Sequence, residues 1–281
     1  MKRLLAALFS LGWLICASVQ AQDALTTGEG WRYEELRRLP AEEARQGVAS
    51  DGDHVYAINN YEIGRYRLSD GQRVGRWAGE AGGPIIHLNA GIVRDGRLIC
   101  AHSNFPGVPM QSSIEIWDTE TMEHVGSRSL GRTDGSLTWI DRRNNRWIAC
   151  FVHYGRRGGE PGRGPEWTHL VEFDDEGRRL GGWTFPAELI ARVGERGYSI
   201  SGGAIGPGGY LYVTGHDHPE LYVLEFPRQG TALRWVTTLS VAGEGQAFGW
   251  DPRDPGILYM LARGSREIIV GRVQWPGQQA R

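Results

Sequence analysis

Gln46-Gly47-Val48-Ala49-Ser50-Asp51-Gly52 is a short run of small and apolar residues that stops at an Asp-Gly turn. The same design returns at Asn89-Ala90-Gly91-Ile92-Val93-Arg94-Asp95-Gly96 and at Ser136-Leu137-Thr138-Trp139-Ile140-Asp141. It returns again at Gly202-Gly203-Ala204-Ile205-Gly206-Pro207-Gly208-Gly209 and at Gln246-Ala247-Phe248-Gly249-Trp250-Asp251-Pro252. A more apolar run follows each copy: Val55 to Ile58, Leu98 to Ala101, Trp147 to Val152, Leu211 to Thr214 and Ile257 to Leu261. A third run alternates, as in Ile63 to Leu68 or Leu221 to Phe226. Short alternating runs of β-branched and aromatic residues between Gly, Asp and Pro turns are the pattern of β-strands. Four units add a fourth strand, such as Gln72 to Trp77 after Ser69-Asp70-Gly71.

The turns at positions 51, 95, 141, 208 and 251 stand 44, 46, 67 and 43 residues apart. Two insertions account for the long gap. One is a Gly/Arg loop from Tyr154 to Glu166, and the other, Ala187 to Tyr198, reads as a short helix. Roughly 40–45 residues per four-stranded unit is the spacing of propeller blades. The expected fold is therefore all-β, a five-bladed β-propeller, with six blades as the alternative count. The last unit lacks its fourth strand, which Trp31 to Leu39 would supply. Pairing the two ends in this way closes the ring and leaves no free edge.

Ahead of this domain, Lys2 and Arg3 precede an apolar run from Leu4 to Ala17, and Val19-Gln20-Ala21 is a small-x-small cleavage site. Residues 1–21 read as an export signal and residues 22–281 as one propeller domain, placed in the periplasm or secreted. A lipid-anchor reading through Cys16 fails because Trp13-Leu14-Ile15 is too bulky. The apolar run is too short for a retained membrane span. Without Lys2 and Arg3, the chain has 29 basic and 33 acidic residues, which argues against a nucleic-acid partner. Lys2 is the only lysine, so lysine Schiff-base chemistry is excluded from the mature protein. Cys100 and Cys150 sit in apolar strands and read as buried free thiols, although an exported protein could join them. No phosphate-binding glycine loop occurs, so no nucleotide cofactor is expected.

In a propeller, the entries to first strands and the exits of second strands converge on one face around the channel mouth. Six of the eight histidines map there: His87, His102, His153, His169, His216 and His218. Asp134, Asp217 and Glu244 join them, as do Gln46, Asn59, Asn60, Asn89, Ser103, Asn104, Ser199, Ser201, Gln246 and Arg263. Imidazoles from separate blades could hold one divalent metal, zinc, iron or manganese. His102, His153 and His216, with His87, are the candidate ligands. Without a metal, the same residues serve as acid–base groups. The alternative for each histidine is a solvated loop residue. Glu244, within Glu244-Gly245-Gln246, reads as a general base or ligand, or equally as a turn carboxylate capping backbone amides. The Gly155 to Arg163 loop, on the same face, could fold over a ligand with its arginine forks receiving a carboxylate; the alternative is a flexible, solvated loop.

The stretches His87-Leu88-Asn89-Ala90-Gly91, Cys100-Ala101-His102-Ser103-Asn104, Gly135 to Asp141, Thr214-Gly215-His216-Asp217 and Gly243-Glu244-Gly245-Gln246 resemble a family of secreted bacterial and fungal propeller proteins, often labelled cycloisomerase-like. The resemblance implies a propeller fold over most of the mature chain and assigns no residue a role. The expected function is an exported enzyme acting on a small, anionic molecule by ring-opening or ring-closing chemistry, isomerase- or lactonase-like. Its catalytic groups would be Glu244, His87 and Asp217. Asn104, Gln246, Gln46, Asn89 and Arg263 would bind substrate. A propeller that binds a sugar, peptide or protein without catalysis is the alternative.

Overall fold

The computed structural model describes residues 29–132 and 134–278. Residues 1–21, read from the sequence as an export signal, lie with Cys16 outside the described residues. Five antiparallel four-stranded sheets form the five blades of a propeller, which excludes the six-blade count. Blade one is β2 (Gly47–Ser50), β3 (His54–Ile58), β4 (Glu62–Arg67) and β5 (Arg73–Ala78). Blade two is β6 (Leu88–Arg94), β7 (Arg97–Ser103), β8 (Ser112–Asp118) and β9 (His124–Gly131). Blade three is β10 (Ser136–Arg143), β11 (Arg146–Val152), β12 (His169–Phe173) and β13 (Arg179–Thr184). Blade four is β14 (Gly202–Ile205), β15 (Leu211–Thr214), β16 (Glu220–Glu225) and β17 (Arg234–Ser240).

Blade five is built from both ends of the chain: β18 (Gly249–Trp250), β19 (Ile257–Ala262), β20 (Glu267–Gln274) and, outermost, β1 (Arg32–Pro40). β1 runs antiparallel to β20, from Arg32 opposite Gln274 to Pro40 opposite Glu267. The expected closure by an N-terminal strand is thus present. The first strand of blade five is shorter than its sequence pattern. Gln246 adopts a left-handed φ of 69°, and its amide donates to Gly215 O in blade four. The Ala247 amide donates to Gln46 O in blade one. These residues therefore bond sideways to neighbouring blades, and pairing with β19 begins only at Gly249.

The core lies between the blades. The second strands carry the most continuous buried runs, which is why they are the most apolar in sequence. Trp117, Trp139, Tyr56, Tyr212 and Tyr222 are fully buried. Blades three and four meet where Trp139 fills the space beside Gly203; a Cβ there would lie 2.3 Å from the indole. Cys100 and Cys150 are buried free thiols, and burial raises both pKa values. The second insertion forms α1 (Ala187–Gly194), which buries Leu189, Ile190 and Val193. Among the described residues, no helix is long and apolar enough to cross a membrane.

Candidate active site

Side-chain and backbone bonds between blades form a closed ring near the axis. Leu88 N–H donates to Asn60 O (2.7 Å) from blade two to blade one. Asn89 Nδ2 donates to Leu137 O (3.0 Å), and Thr138 Oγ1 donates to Ile200 O (2.9 Å). Thr214 Oγ1 donates to Gln246 O (2.5 Å), and Ala247 N–H returns to Gln46 O (3.0 Å). All five blade junctions are bridged. Five residues of this ring, Gln46, Asn60, Asn89, Thr138 and Gln246, form part of the wall of a chamber of about 430 Å³.

Eight residues expected on this face from sequence line the chamber: Gln46, Asn60, His87, Asn89, Ser201, His216, Gln246 and Arg263. The polar groups are held in place. Gln46 Nε2 donates to Asn60 Oδ1 at 2.7 Å. His216 Nδ1 lies 2.9 Å from Asp217 Oδ1, which leaves Nε2 as its second functional nitrogen. The His216 ring stacks on Tyr198 at 3.9 Å, and the Arg156 guanidinium covers Tyr198 at 5.2 Å. This stack fixes the imidazole plane. Asp217 stands behind His216 rather than in the chamber wall, as an orienting carboxylate.

The chamber is cationic. Arg157 and Arg263 line it, and among the described residues no Asp or Glu does. Arg263 Nε is buried without a hydrogen-bond partner among the described residues. Burial, then the Arg45 charge, pushes its pKa down. An unpaired buried guanidinium N–H is a donor awaiting an acceptor. His87 sits 4.9 Å from Phe105, ring to ring. Burial, then His102 and the two arginines, lowers its pKa to about 4, so it is neutral at neutral pH.

Four of the expected residues do not line the chamber. His102 has both ring nitrogens engaged inside blade two, with the Ile86 amide and Ser113 Oγ. His153 is 2% exposed, and its Nε2 is turned to Asp134 O at 3.2 Å. Neither lines the chamber with His87 and His216. Among the described residues, no three His, Cys, Asp or Glu side chains approach closely enough to hold a metal ion. The zinc, iron or manganese centre on His102, His153, His216 and His87 therefore does not fit this donor set. Glu244 is exposed and accepts the Gly264 amide at 3.0 Å, which is the turn-capping alternative. Asn104 bridges its own loop, donating to Pro109 O and accepting from Gln111 N–H. It thereby carries the next residues, Phe105 and Pro106, to the chamber wall. Of the other histidines on this face, His169 Nδ1 meets Trp167 O at 2.9 Å and His218 lies 3.3 Å from Glu195.

The sequence reading did not single out Tyr154, Tyr198, Phe105 or Thr138 as chamber residues, and it placed Arg157 only within a loop. No family model and no curated protein sequence matches the chain. Solved structures do match it. A luciferin-regenerating enzyme aligns with a TM-score of 0.51 at 10% identity, over 88% of this chain and 96% of that chain. A gluconolactonase from Xanthomonas campestris aligns at 0.49 with 12% identity, over 88% and 90%. Hydrazine synthase from Kuenenia stuttgartiensis aligns at 0.44 with 14% identity, over 80% and 70%. At such identities, the first of these is a likeness of fold.

Proposed function

We propose that this chain is an exported enzyme that opens or closes a ring in a small anionic molecule by acid–base chemistry. One observation carries the reading: His216, backed by Asp217, shares a chamber with Arg157 and Arg263 and with no lining carboxylate. Burial makes a paired anion worth far more to Arg263 than it would be in water, whereas the exposed Arg157 adds a weaker, solvent-screened attraction. In the hydrolytic direction, His216 Nε2 takes a proton from water as the oxygen attacks the ring carbonyl carbon. The ring C–O bond then breaks, and the imidazolium returns the proton to the departing alkoxide. The Asp217 carboxylate supports the charge on the ring in between. Neutral His87, Gln46, Asn89 and Gln246 supply hydrogen bonds that orient the substrate. Export rests on the N-terminal pattern of charge, apolar run and Val19-Gln20-Ala21. The partner is a small molecule rather than nucleic acid or membrane.

The test is a screen of purified protein against small lactones and their open hydroxy acids. The expected result is turnover of one such pair that falls at least about 100-fold in His216→Ala. Turnover unaffected by that substitution would remove the assignment. Tight binding with no turnover of any candidate would favour the non-catalytic propeller.

A further inference from the structure

Blade two holds a buried run of polar groups that the proposed chemistry does not use. Glu115, in β8, is 4% exposed. Its Oε1 accepts from Ser113 Oγ at 2.6 Å and from Ser127 Oγ at 2.9 Å. Its Oε2 lies 2.9 Å from His124 Nε2. Ser113 Oγ lies 2.8 Å from His102 Nδ1, and His102 Nε2 accepts the Ile86 amide at 3.2 Å. A backbone amide can only donate, so Nε2 is unprotonated and the ring proton sits on Nδ1. Each bond in the chain then has one direction. Ile86 N–H donates to His102, His102 donates to Ser113, and Ser113 donates to Glu115.

This chain ends at the chamber. Ile86 and His87 are both wall residues and directly precede β6. Ser103 N–H donates to His87 O at 3.1 Å, and Leu88 N–H donates to Asn60 O at 2.7 Å. Backbone supplies these two bonds, whereas the Ile86 bond runs through a side chain. We propose that His102 is a positioning residue, whose ring, locked in one tautomer by Ser113 and Glu115, holds the Ile86–His87 corner at the chamber wall. Partners that fix an imidazole's tautomer and orientation are a general device of sites that need a ring nitrogen in one role. The inference goes beyond the proposed reaction and holds for any ligand of the chamber.

Two substitutions separate positioning from packing. His102→Gln keeps an acceptor at the depth of Nε2 for the Ile86 amide. His102→Asn reaches Ser113 but is too short to reach Ile86. The readouts are the His87 ring signals in histidine-selective NMR, identified by their loss in His87→Gln, and the affinity for malonate as a carboxylate probe. In His102→Gln, the His87 signals stay in place and malonate affinity stays within about twofold. In His102→Asn, the signals move and affinity falls about tenfold, the loss of one hydrogen bond's worth of positioning. Unmoved signals in His102→Asn, or equal movement in both variants, overturns the inference. If His102→Asn does not fold, Ser113→Ala frees the ring from its lock and the same movement is expected; its absence overturns the inference equally. Should malonate fail to bind the wild-type protein, the anionic reading of the chamber fails, while the His87 signals still decide this one.

Discussion

His216 Nδ1 lies 2.9 Å from Oδ1 of Asp217, the next residue in the chain. Adjacent residues on a strand point to opposite faces, so such a pair needs irregular backbone. Here it follows the end of β15 at Thr214, where Gly215 accepts from the Gln246 amide. The carboxylate is nearly enclosed, with its side chain 8% exposed. It holds the His216 ring with the proton on Nδ1. Asp217→Asn offers an amide that can present a donor to Nδ1 and reverse the tautomer. Activity on the identified substrate is expected to fall about 10²–10⁴-fold, the usual worth of a positioned acid–base group. Thermal unfolding should barely change. Equal activity in Asp217→Asn, measured as kcat, would remove His216 from the chemistry.

Arg263 lines the same chamber, and its buried Nε has no hydrogen-bond partner among the described residues, so its guanidinium charge is unpaired there. Its partner is expected to be an oxygen of the ligand's anionic group. Arg263→Gln should weaken carboxylate binding by about 10- to 100-fold, the range for a hydrogen bond to a charged group. The corresponding neutral amide should bind both proteins alike. Arg157, on an open loop over Phe105, should contribute less, and its share should decline as salt rises. Titration calorimetry at two ionic strengths checks each part. Equal binding of acid and amide would show that charge does not select the ligand.

The blades were legible because their turns repeat. Asp51, Asp95 and Asp251 directly follow equivalent strands, whereas Asp141 lies inside β10, whose turn comes at Asn144 and Asn145; strand alternation follows from the pleat. Residues at first-strand entries, Gln46, Asn89 and Gln246, were legible for the same reason, since position in the repeat fixes position at the axis. His102 and His153 lie at the exits of second strands, and there the sequence misleads. Period two decides which face a side chain takes but not whether an imidazole finds a partner within its blade. His102 pairs across to Ser113, its register neighbour on β8, and is drawn away from the chamber. Tyr154, Tyr198 and Phe105 come from loops that follow no period, so nothing in their spacing marked them. Glu244 was legible only as two alternatives, and the Gly264 amide decides between them.

Asp141 gives the fold a titration of its own. Its Oδ2 accepts the Ile205 amide of blade four at 2.7 Å, and its Oδ1 accepts the Arg142 amide. Burial nevertheless dominates and raises the carboxyl from 3.8 to about 6. The folded state thus holds this proton more tightly than the unfolded chain. The favourable contribution is complete below pH ~4, fades between about 4 and 6, and is gone above ~6. Its size is on the order of 3 kcal/mol. Asp141→Asn should flatten this part of the stability–pH curve, as measured by urea unfolding at pH 4, 5, 6 and 7. The wild-type curve less that of the variant should decline with rising pH. A difference that rises with pH would mean that the two amide bonds outweigh burial.

One tight contact reinforces the strand pairing that closes the ring. Tyr33, on β1, is 6% exposed and lies over Gly271 of β20. A Cβ at position 271 would stand 2.4 Å from the Tyr33 ring. β1 pairs with β20 along its length, so a displaced Tyr33 loosens the strand that joins the two chain ends. Gly271→Val should cost about 1–3 kcal/mol, the usual penalty for overpacking, and more if β1 detaches. Detachment would also expose the edge of β20 to pairing with other molecules. The expected outcome is a lower urea midpoint together with concentration-dependent aggregation. Gly271→Val with Tyr33→Ala makes room for the new side chain and should recover part of the loss; a strictly additive double variant would show that the two residues do not meet.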